Sequence, residues 1–339
     1  SPKPGVYVYD LGQNFSGIPA VTVSGERGKE IKIVPGEIVD ADGFVSQRPS
    51  GAPSYFTYTL SGNGKESWKP KFTYYGFRYI QVEGGVPQGQ PNDLQHSVTG
   101  IHTRNAAKIS GNFSCSDTLF NNIFKLIDWS VRSNLASVVT DCPHREKLGW
   151  LEVPHLLGNA VRYNYNVASL YRKIIRDMQM SQTENGLVPN IAPEFVQFDP
   201  DFRDSPEWGS CAVLLPYYVY KWYGDKDILH ESYAMMKRYV DYLGSRARDH
   251  IVSHGLGDWF DIGPDGSETA SLLGKEPDVA LYRSLSEKVK RAFNEKFYNK
   301  DSGYYGTGSQ TANAMALYMG LVNTEDTKTV LENLKTGIR

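Results

Sequence analysis

The densest group of reactive side chains in this sequence runs from Thr140 to Glu152, TDCPHREKLGWLE, and ends in Pro154-His155. Pro143 lacks a backbone donor and Gly149 permits special backbone angles, so the stretch reads as a loop. It crowds Asp141, Glu146 and Glu152 together with two basic residues, Arg145 and Lys147. A carboxyl group beside an arginine is normally ionised, whereas burial against an aromatic ring raises its pKa, and a general acid must hold a proton before it can donate one. Trp150 is expected to supply that apolar wall for Glu146, with Asp141 adding like-charge pressure. The plainer reading is an ion-pair network, Arg145 with Asp141 or Glu152, that stitches a loop to helix ends.

A second group spans NGLVPNIAPE, residues 185 to 194, and continues through Asp199, Asp201 and Asp204 to Pro206-Glu207-Trp208-Gly209. Its two Pro-Glu pairs, ending in Glu194 and Glu207, could set carboxylates at the mouth of a barrel, although Glu207 equally suits the start of a helix through the helix dipole. A third group, HGLGDWFD at 254 to 261, brackets Asp258 with glycines and follows it with Trp259 and Asp261. An acid beside an indole binds sugar hydroxyls and stacks on the sugar ring; a tight turn with a core tryptophan is the alternative. Glycoside hydrolysis needs a protonated carboxylic acid at the leaving oxygen, a second carboxylate, and polar groups that fix the ring. Three loops of acid, Trp and Gly supply that inventory. No GxSxG, GxxxxGK or HExxH occurs to point to other chemistry.

These loops need rigid elements around them. Residues 1 to about 100 alternate short β-prone runs (VYVYDLG, PAVTVSG, KEIKIVPGEIV, FTYYGFRYIQVEG) with Gly, Pro and Asn, the pattern of an antiparallel sandwich. Ile31, Ile33 and Val82 sit in period-2 alternation, and Gly62-Asn63-Gly64 offers the positive φ angles of a hairpin turn. From Asp117 the period lengthens: Leu119, Ile123, Leu126, Ile127 and Val131 recur as one helix face, which Ser116 or Asp117 would cap. Further helices are expected at 156–182, 210–222, 228–248, 277–297 and 311–321. Helix, carboxylate-bearing loop, helix, repeated, predicts an α/α barrel, with a plain bundle as the alternative. The change of period divides the chain into a β-sandwich domain over 1–107 and a helical domain over 108–339.

Composition narrows the partners. The 36 Lys plus Arg nearly balance 38 Asp plus Glu, for a net charge of −2, so no basic field exists to hold a nucleic acid. The 22 tyrosines and 6 tryptophans suit sugar stacking as well as core packing. Cys115, Cys142 and Cys211 lie far apart, with no CxxC and no zinc-ligand spacing, which predicts neither a disulfide framework nor a metal site. No apolar run is long enough to span a membrane. The opening SPKPGVYVYDLG has neither Met nor a signal-peptide core, as expected of a mature or trimmed fragment.

DCPHREKLGW at 141 to 150 resembles the signature loop of the bacterial α-L-rhamnosidases, whose catalytic domain is an (α/α)6 barrel. YDLGQNFSG at 9 to 17 and FTYYGFRYIQV at 72 to 82 look like the family's β-domain, and NGLVPNIAPE, DSPEWGS and GLGDWFDIG look like its later loops. The resemblance implies a multidomain β plus α protein: an N-terminal antiparallel β-sandwich followed by an incomplete (α/α)6 barrel that releases terminal α-L-rhamnose from glycans or glycosides with inversion. By position, Glu146 matches the general acid, Asp141, Arg145 and Trp150 match residues that hold rhamnose, and Asp258 and Trp259 match the GDW loop. Glu194, Glu207, Trp208 and Asp261 belong to the same set of candidate sugar contacts.

There are three departures from the family. Many relatives carry Gly-Asp where this chain has Glu152-Val153, so Glu152 or His155 would replace a substrate-binding Asp. Only Pro264 to Ser271 stands where the family has a further helix after Gly263. The chain ends ahead of the segment expected to bring the general base, leaving Glu194 and Glu207 as in-chain candidates. This chemistry requires no cofactor or metal and leaves structural calcium open. A periplasmic or secreted location suits a glycan-degrading role. The rivals are a rhamnose- or glycan-binding protein without catalysis and an α/α-barrel glycosidase for another sugar; a polysaccharide lyase, which would need a cation-rich cleft, fits the charge balance less well.

Overall fold

The computed structural model describes residues 1–50, 53–255 and 276–336. The chain forms two compact units, Ser1–Val153 with Gly158–Leu170, and Pro154–Leu157 with Tyr171–Arg339.

The first unit begins with nine strands: β1 (Val6–Ser24), β2 (Glu30–Gly36), β3 (Ile38–Val39), β4 (Val45–Ser46), β5 (Phe56–Thr59), β6 (Lys65–Trp68), β7 (Tyr75–Glu83), β8 (Val86–Pro87) and β9 (Gln95–His102). One sheet has the order β5-β2-β7-β1-β9-β8, with β6 also on β1, and β3 and β4 make a separate ribbon. All pairs are antiparallel except β8 with β9. The long β1 pairs with β7 over Val6–Gly17, then with β9 and β6 over its last residues, with a register shift between Asp10 and Phe15. One strand thereby serves two sets of neighbours. The period-2 alternation places Val21, Val23, Ile31, Ile33, Ile80 and Val82 in one core with Phe15, Leu60 and Phe77, each aliphatic side chain contributing roughly 1.5–3 kcal/mol by leaving water.

Gly62 and Gly64 both take φ of +79°, yet the strands that flank them do not form a hairpin. β5 pairs with β2 and β6 with β1. The turn is closed instead by the Glu66 carboxylate, which accepts from the Ser61 and Gly62 amides, each at 3.0 Å, and from the hydroxyls of Ser61 and Tyr58, each at 2.9 Å.

Helix α1 (Thr118–Asn134) starts where the period changes, and Asp117 caps it by accepting from the Leu119 amide. The apolar face that the period marks points outward: Leu119 is 61% exposed and Leu126 72%, and Ile123 and Ile127 are exposed too. The inward side is set by Trp129, which meets Phe15 and His102, and by Asp128 and Arg132, which pair with each other and with the Tyr165 hydroxyl. Periodicity tells which residues share a face; it does not tell which face finds a partner.

The helix expected over 156–182 is three helices, α2 (Glu152–Leu156), α3 (Gly158–Asn164) and α4 (Ala168–Ser181). The chain leaves α3 at the wholly buried Tyr165, and the Asn166 amide donates to the Lys108 carbonyl, so a strand-like contact replaces a helical turn.

In the second unit follow α5 (Pro200–Arg203), α6 (Pro206–Gly209), α7 (Cys211–Tyr223), α8 (Lys226–Arg246), α9 (Glu276–Phe297), β10 (Tyr298–Asn299), β11 (Tyr304–Tyr305), α10 (Gln310–Tyr318) and α11 (Thr327–Thr336). α7 and α8 form a helical hairpin. Gly224 ends α7 in the left-handed conformation, φ +70°, and Asp225 caps α8 by accepting from the Ile228 amide. Tyr171, Ile174, Ile175 and Met178 of α4, and Ile228, Leu229, Met235, Met236 and Tyr239 of α8, bury helix faces at three- and four-residue steps. Among the described residues no helix is long and apolar enough to cross a membrane.

Candidate active site

The loop after α1 carries the acid cluster. It is closed at its start by the Thr140 amide and hydroxyl, which donate to the Asn134 carbonyl and side chain, both at 2.9 Å. It is pinned at its end by the buried Leu148, Trp150 and Leu151. Between these anchors the Glu146 amide donates to Cys142 Sγ at 3.2 Å. The Glu146 carboxylate then has a donor on each oxygen: Arg145 Nη2 at 2.9 Å from Oε1 and the Trp150 indole N–H at 2.8 Å from Oε2. The Asp141 carboxyl is hydrogen-bonded to the same carboxylate.

This geometry corrects the electrostatic expectation. Burial does act to raise the Glu146 pKa, but the Trp150 indole, Asp141 and Arg145 all stabilise its anion, and the outcome is a shift below the ordinary carboxylate value. Trp150 meets Glu146 through its N–H, a donor that favours the anion. Asp141 goes the other way: partial burial of its carboxyl, then the hydrogen bond to Glu146 and the charge of Glu146, push it up to about 6, although Asp141 as a residue is exposed. The pair therefore shares one proton under mildly acidic conditions.

The other candidates separate by environment. Glu152 is buried at the start of α2. His155, also buried, uses Nε2 to meet the Glu207 carbonyl at 2.9 Å, and burial lowers its pKa to about 4, so the ring is neutral and donates there. It ties α2 to the start of α6 and does not offer Nε2 to a ligand. Glu207 lies in the first turn of α6 and Trp208 is only 5% exposed. Glu194 is gripped by Arg203, Nε on Oε1 at 2.5 Å and Nη2 on Oε2 at 2.7 Å. Asp258, Trp259 and Asp261, and the short connection at 264–271, lie outside the described residues. Among the described residues no group of three His, Cys, Asp or Glu is placed to hold a metal ion.

Spacing along the chain does not give the contacts of several residues. Asp204 accepts from the Tyr242 hydroxyl and stands 3.2 Å from His254 Nε2, tying the 190–205 loop to the end of α8 and to the chain that leaves it. Asn190, wholly buried, bonds the Phe202 carbonyl at 2.8 Å and the Ser205 amide at 2.9 Å, so this loop is internally braced. In the first unit, the sequence alone offers Cys142 only as an isolated cysteine and Lys147 only as one of the basic residues beside the carboxylates, with no contact for either. The aromatic run Tyr74-Tyr75 before Gly76 was read only as a strand.

A β region leading into helical hairpins, with a proton-sharing carboxyl pair on the loop after the first helix, places the chain among helical-hairpin glycosidase folds. The profile of the bacterial alpha-L-rhamnosidase 6 hairpin glycosidase domain matches residues 108–269 and 265–339, and that of the bacterial alpha-L-rhamnosidase concanavalin-like domain matches residues 1–103. The chain belongs to the bacterial α-L-rhamnosidase family.

It is 30% identical over 342 residues to an alpha-L-rhamnosidase of Streptomyces avermitilis, covering 95% of this chain and 32% of that protein. To one of Formosa agariphila it is 29% identical over 378 residues, covering 98% and 39%. The chain thus spans well under half the length of these curated relatives. Among solved structures, the alpha-L-rhamnosidase from Dictyoglumus thermophilum superposes with a TM-score of 0.88 at 35% identity over 100% of this chain and 40% of that one. The Streptomyces avermitilis enzyme complexed with L-rhamnose gives 0.87 at 28% over 100% and 34%.

Proposed function

We propose that this chain carries the proton-donating half of an inverting α-L-rhamnosidase, a glycoside hydrolase that releases terminal α-L-rhamnose from glycans or glycosides. The observation that supports this most directly is the Asp141–Glu146 carboxyl pair, which shares a proton beside an arginine with one loose contact and an indole donor. Glu146 is the general acid. When the sugar enters, Arg145 and Asp141 turn to its hydroxyls; Glu146 then loses donors that stabilise its anion, while burial still favours its neutral form. The proton held at the pair passes to Glu146 and from there to the glycosidic oxygen as an oxocarbenium-like state develops. Inversion, the outcome the resemblance implies, would require a second carboxylate far enough away to seat a water. Glu194, held at both oxygens by Arg203, serves structure in this reading. The catalytic domain begins after the β-sandwich, near residue 108.

A second reading is favoured by one observation, the elevation of Asp141 to about 6: Asp141 itself delivers the proton, and Glu146 is its anionic partner. Release of p-nitrophenol from p-nitrophenyl α-L-rhamnoside by the full-length protein, by Glu146→Gln and by Asp141→Asn, separates the two. Loss of turnover with Glu146→Gln but only a changed pH profile with Asp141→Asn supports Glu146 as donor, and the reverse supports Asp141. A folded parent that binds rhamnose without turning the substrate over would replace both readings with a sugar-binding protein.

A further inference from the structure

We propose that Lys147 is a positioning residue, whose docking on the Tyr74–Gly76 entrance to β7 holds the acid loop in the shape that sets Glu146 against Asp141. The inference rests on the rhamnosidase reading only for the reaction that reports it.

Two features of the first unit meet at this lysine and a third at the loop residues just before it. Its backbone sits at φ +58°, in the left-handed region that favours glycine or asparagine, so the loop keeps a long side chain where backbone preference alone would select neither its size nor its charge. Its side chain is half-buried. Nζ lies 4.7 Å from the centre of the Tyr74 ring and 4.3 Å from that of Tyr75, and donates to the Tyr74 carbonyl at 2.5 Å. Two aromatic faces and a carbonyl are the surroundings that stabilise a desolvated ammonium. Burial lowers the lysine pKa, and the neighbouring Cys142 pulls it partly back. The third feature is close approach. A Cβ on Gly76 would stand 2.9 Å from Pro143 Cγ and 3.4 Å from His144 Cβ, so the loop lies directly on the start of β7. His144 Nε2 adds a contact of 3.4 Å to Glu37, the residue after β2.

Lys147 follows Glu146 directly, and the Glu146 amide is already fixed to Cys142 Sγ. A shift of the Lys147 backbone is therefore passed to the Glu146 side chain and to its contacts with Arg145, Asp141 and the Trp150 indole. Arg145 is 56% exposed, and the indole N–H constrains only one oxygen. Lys147 touches neither carboxylate through its side-chain hydrogen bond; it acts through the loop. The β region, on this account, is a template for the acid.

The test combines hydrogen–deuterium exchange of the full-length protein with turnover of p-nitrophenyl α-L-rhamnoside in Lys147→Met and Lys147→Arg. Methionine keeps an unbranched stem and removes the cation, and arginine keeps a cation that stacks on tyrosine. In Lys147→Met the amides of residues 141–150 are expected to exchange about tenfold faster, and kcat to fall about 10- to 100-fold with KM within about twofold, the cost of a displaced catalytic group. Lys147→Arg is expected to restore most of both. Unchanged exchange in Lys147→Met overturns the inference, as does faster exchange with full kcat, or an equal loss in both variants. If the folded parent turns over no rhamnoside, the rhamnosidase reading fails by itself, and exchange alone decides whether Lys147 holds the loop.

Discussion

Glu146 and Glu194 each meet an arginine, but the two contacts differ in every respect that governs reactivity. Arg145 reaches Glu146 with one nitrogen at 2.9 Å and is itself 56% exposed. Arg203 grips both oxygens of Glu194, at 2.5 and 2.7 Å, in a contact whose side chains are 20% and 14% exposed. A bidentate, enclosed pair holds its geometry and its charge. A single exposed contact contributes little and is easily exchanged for a sugar hydroxyl. Glu146 has, besides, a second carboxyl beside it with a proton to share. Residue type is common to both places; denticity, burial and the third neighbour distinguish a brace from the proposed acid.

The comparison breaks most visibly if the two glutamates are neutralised in turn. Glu146→Gln is expected to lower kcat on p-nitrophenyl α-L-rhamnoside by ~10² to 10⁴-fold, the range for loss of a general acid, with an unchanged urea midpoint. Equal activity in that variant would remove Glu146 from the reaction. Arg203→Met leaves the Glu194 carboxylate enclosed without its partner. A loss of about 1–3 kcal/mol in urea unfolding follows, with kcat retained below the transition; a selective loss of kcat would instead make Glu194 part of the reaction.

Asp141→Asn sharpens the comparison through pH. Asp141 is raised to about 6, so the pair keeps its proton below that pH and loses it above, and kcat/KM should fall on the alkaline side. In the variant Glu146 titrates without a proton-sharing partner and under donors that lower its pKa, so the falling limb moves to lower pH. A limb that stays in place would exclude Asp141 as the proton's holder. The smallest effect belongs to Arg145→Met. Stability should change by less than ~1 kcal/mol, as for other exposed ion pairs, while KM rises because the sugar loses a hydroxyl partner. A stability loss matching that of Arg203→Met would erase the distinction between the two contacts.

Much of the architecture was legible in the chain itself. Alternation at Ile31, Ile33 and Val82 marked a β core, the lengthened period after Asp117 marked α1, and the crowding of Asp141, Arg145, Glu146 and Trp150 within ten positions marked the site, because neighbours on one short loop stay neighbours when it folds. What the period could not supply was a partner for the apolar face of α1, nor could paired glycines decide that β5 and β6 would part company. Those outcomes depend on elements distant in sequence.

The same division runs through the site. Sequence alone determined which acids and bases stand together between Thr140 and Glu152, since that is a matter of covalent spacing. The tertiary structure decided their states. It turned the Trp150 N–H toward Glu146, raised Asp141 above its ordinary value, enclosed Glu194 with Arg203 across nine residues, and seated Lys147 on tyrosines more than seventy residues upstream. A pKa and a donor's direction are set by what surrounds a group in space, and only the folded chain brings those surroundings together.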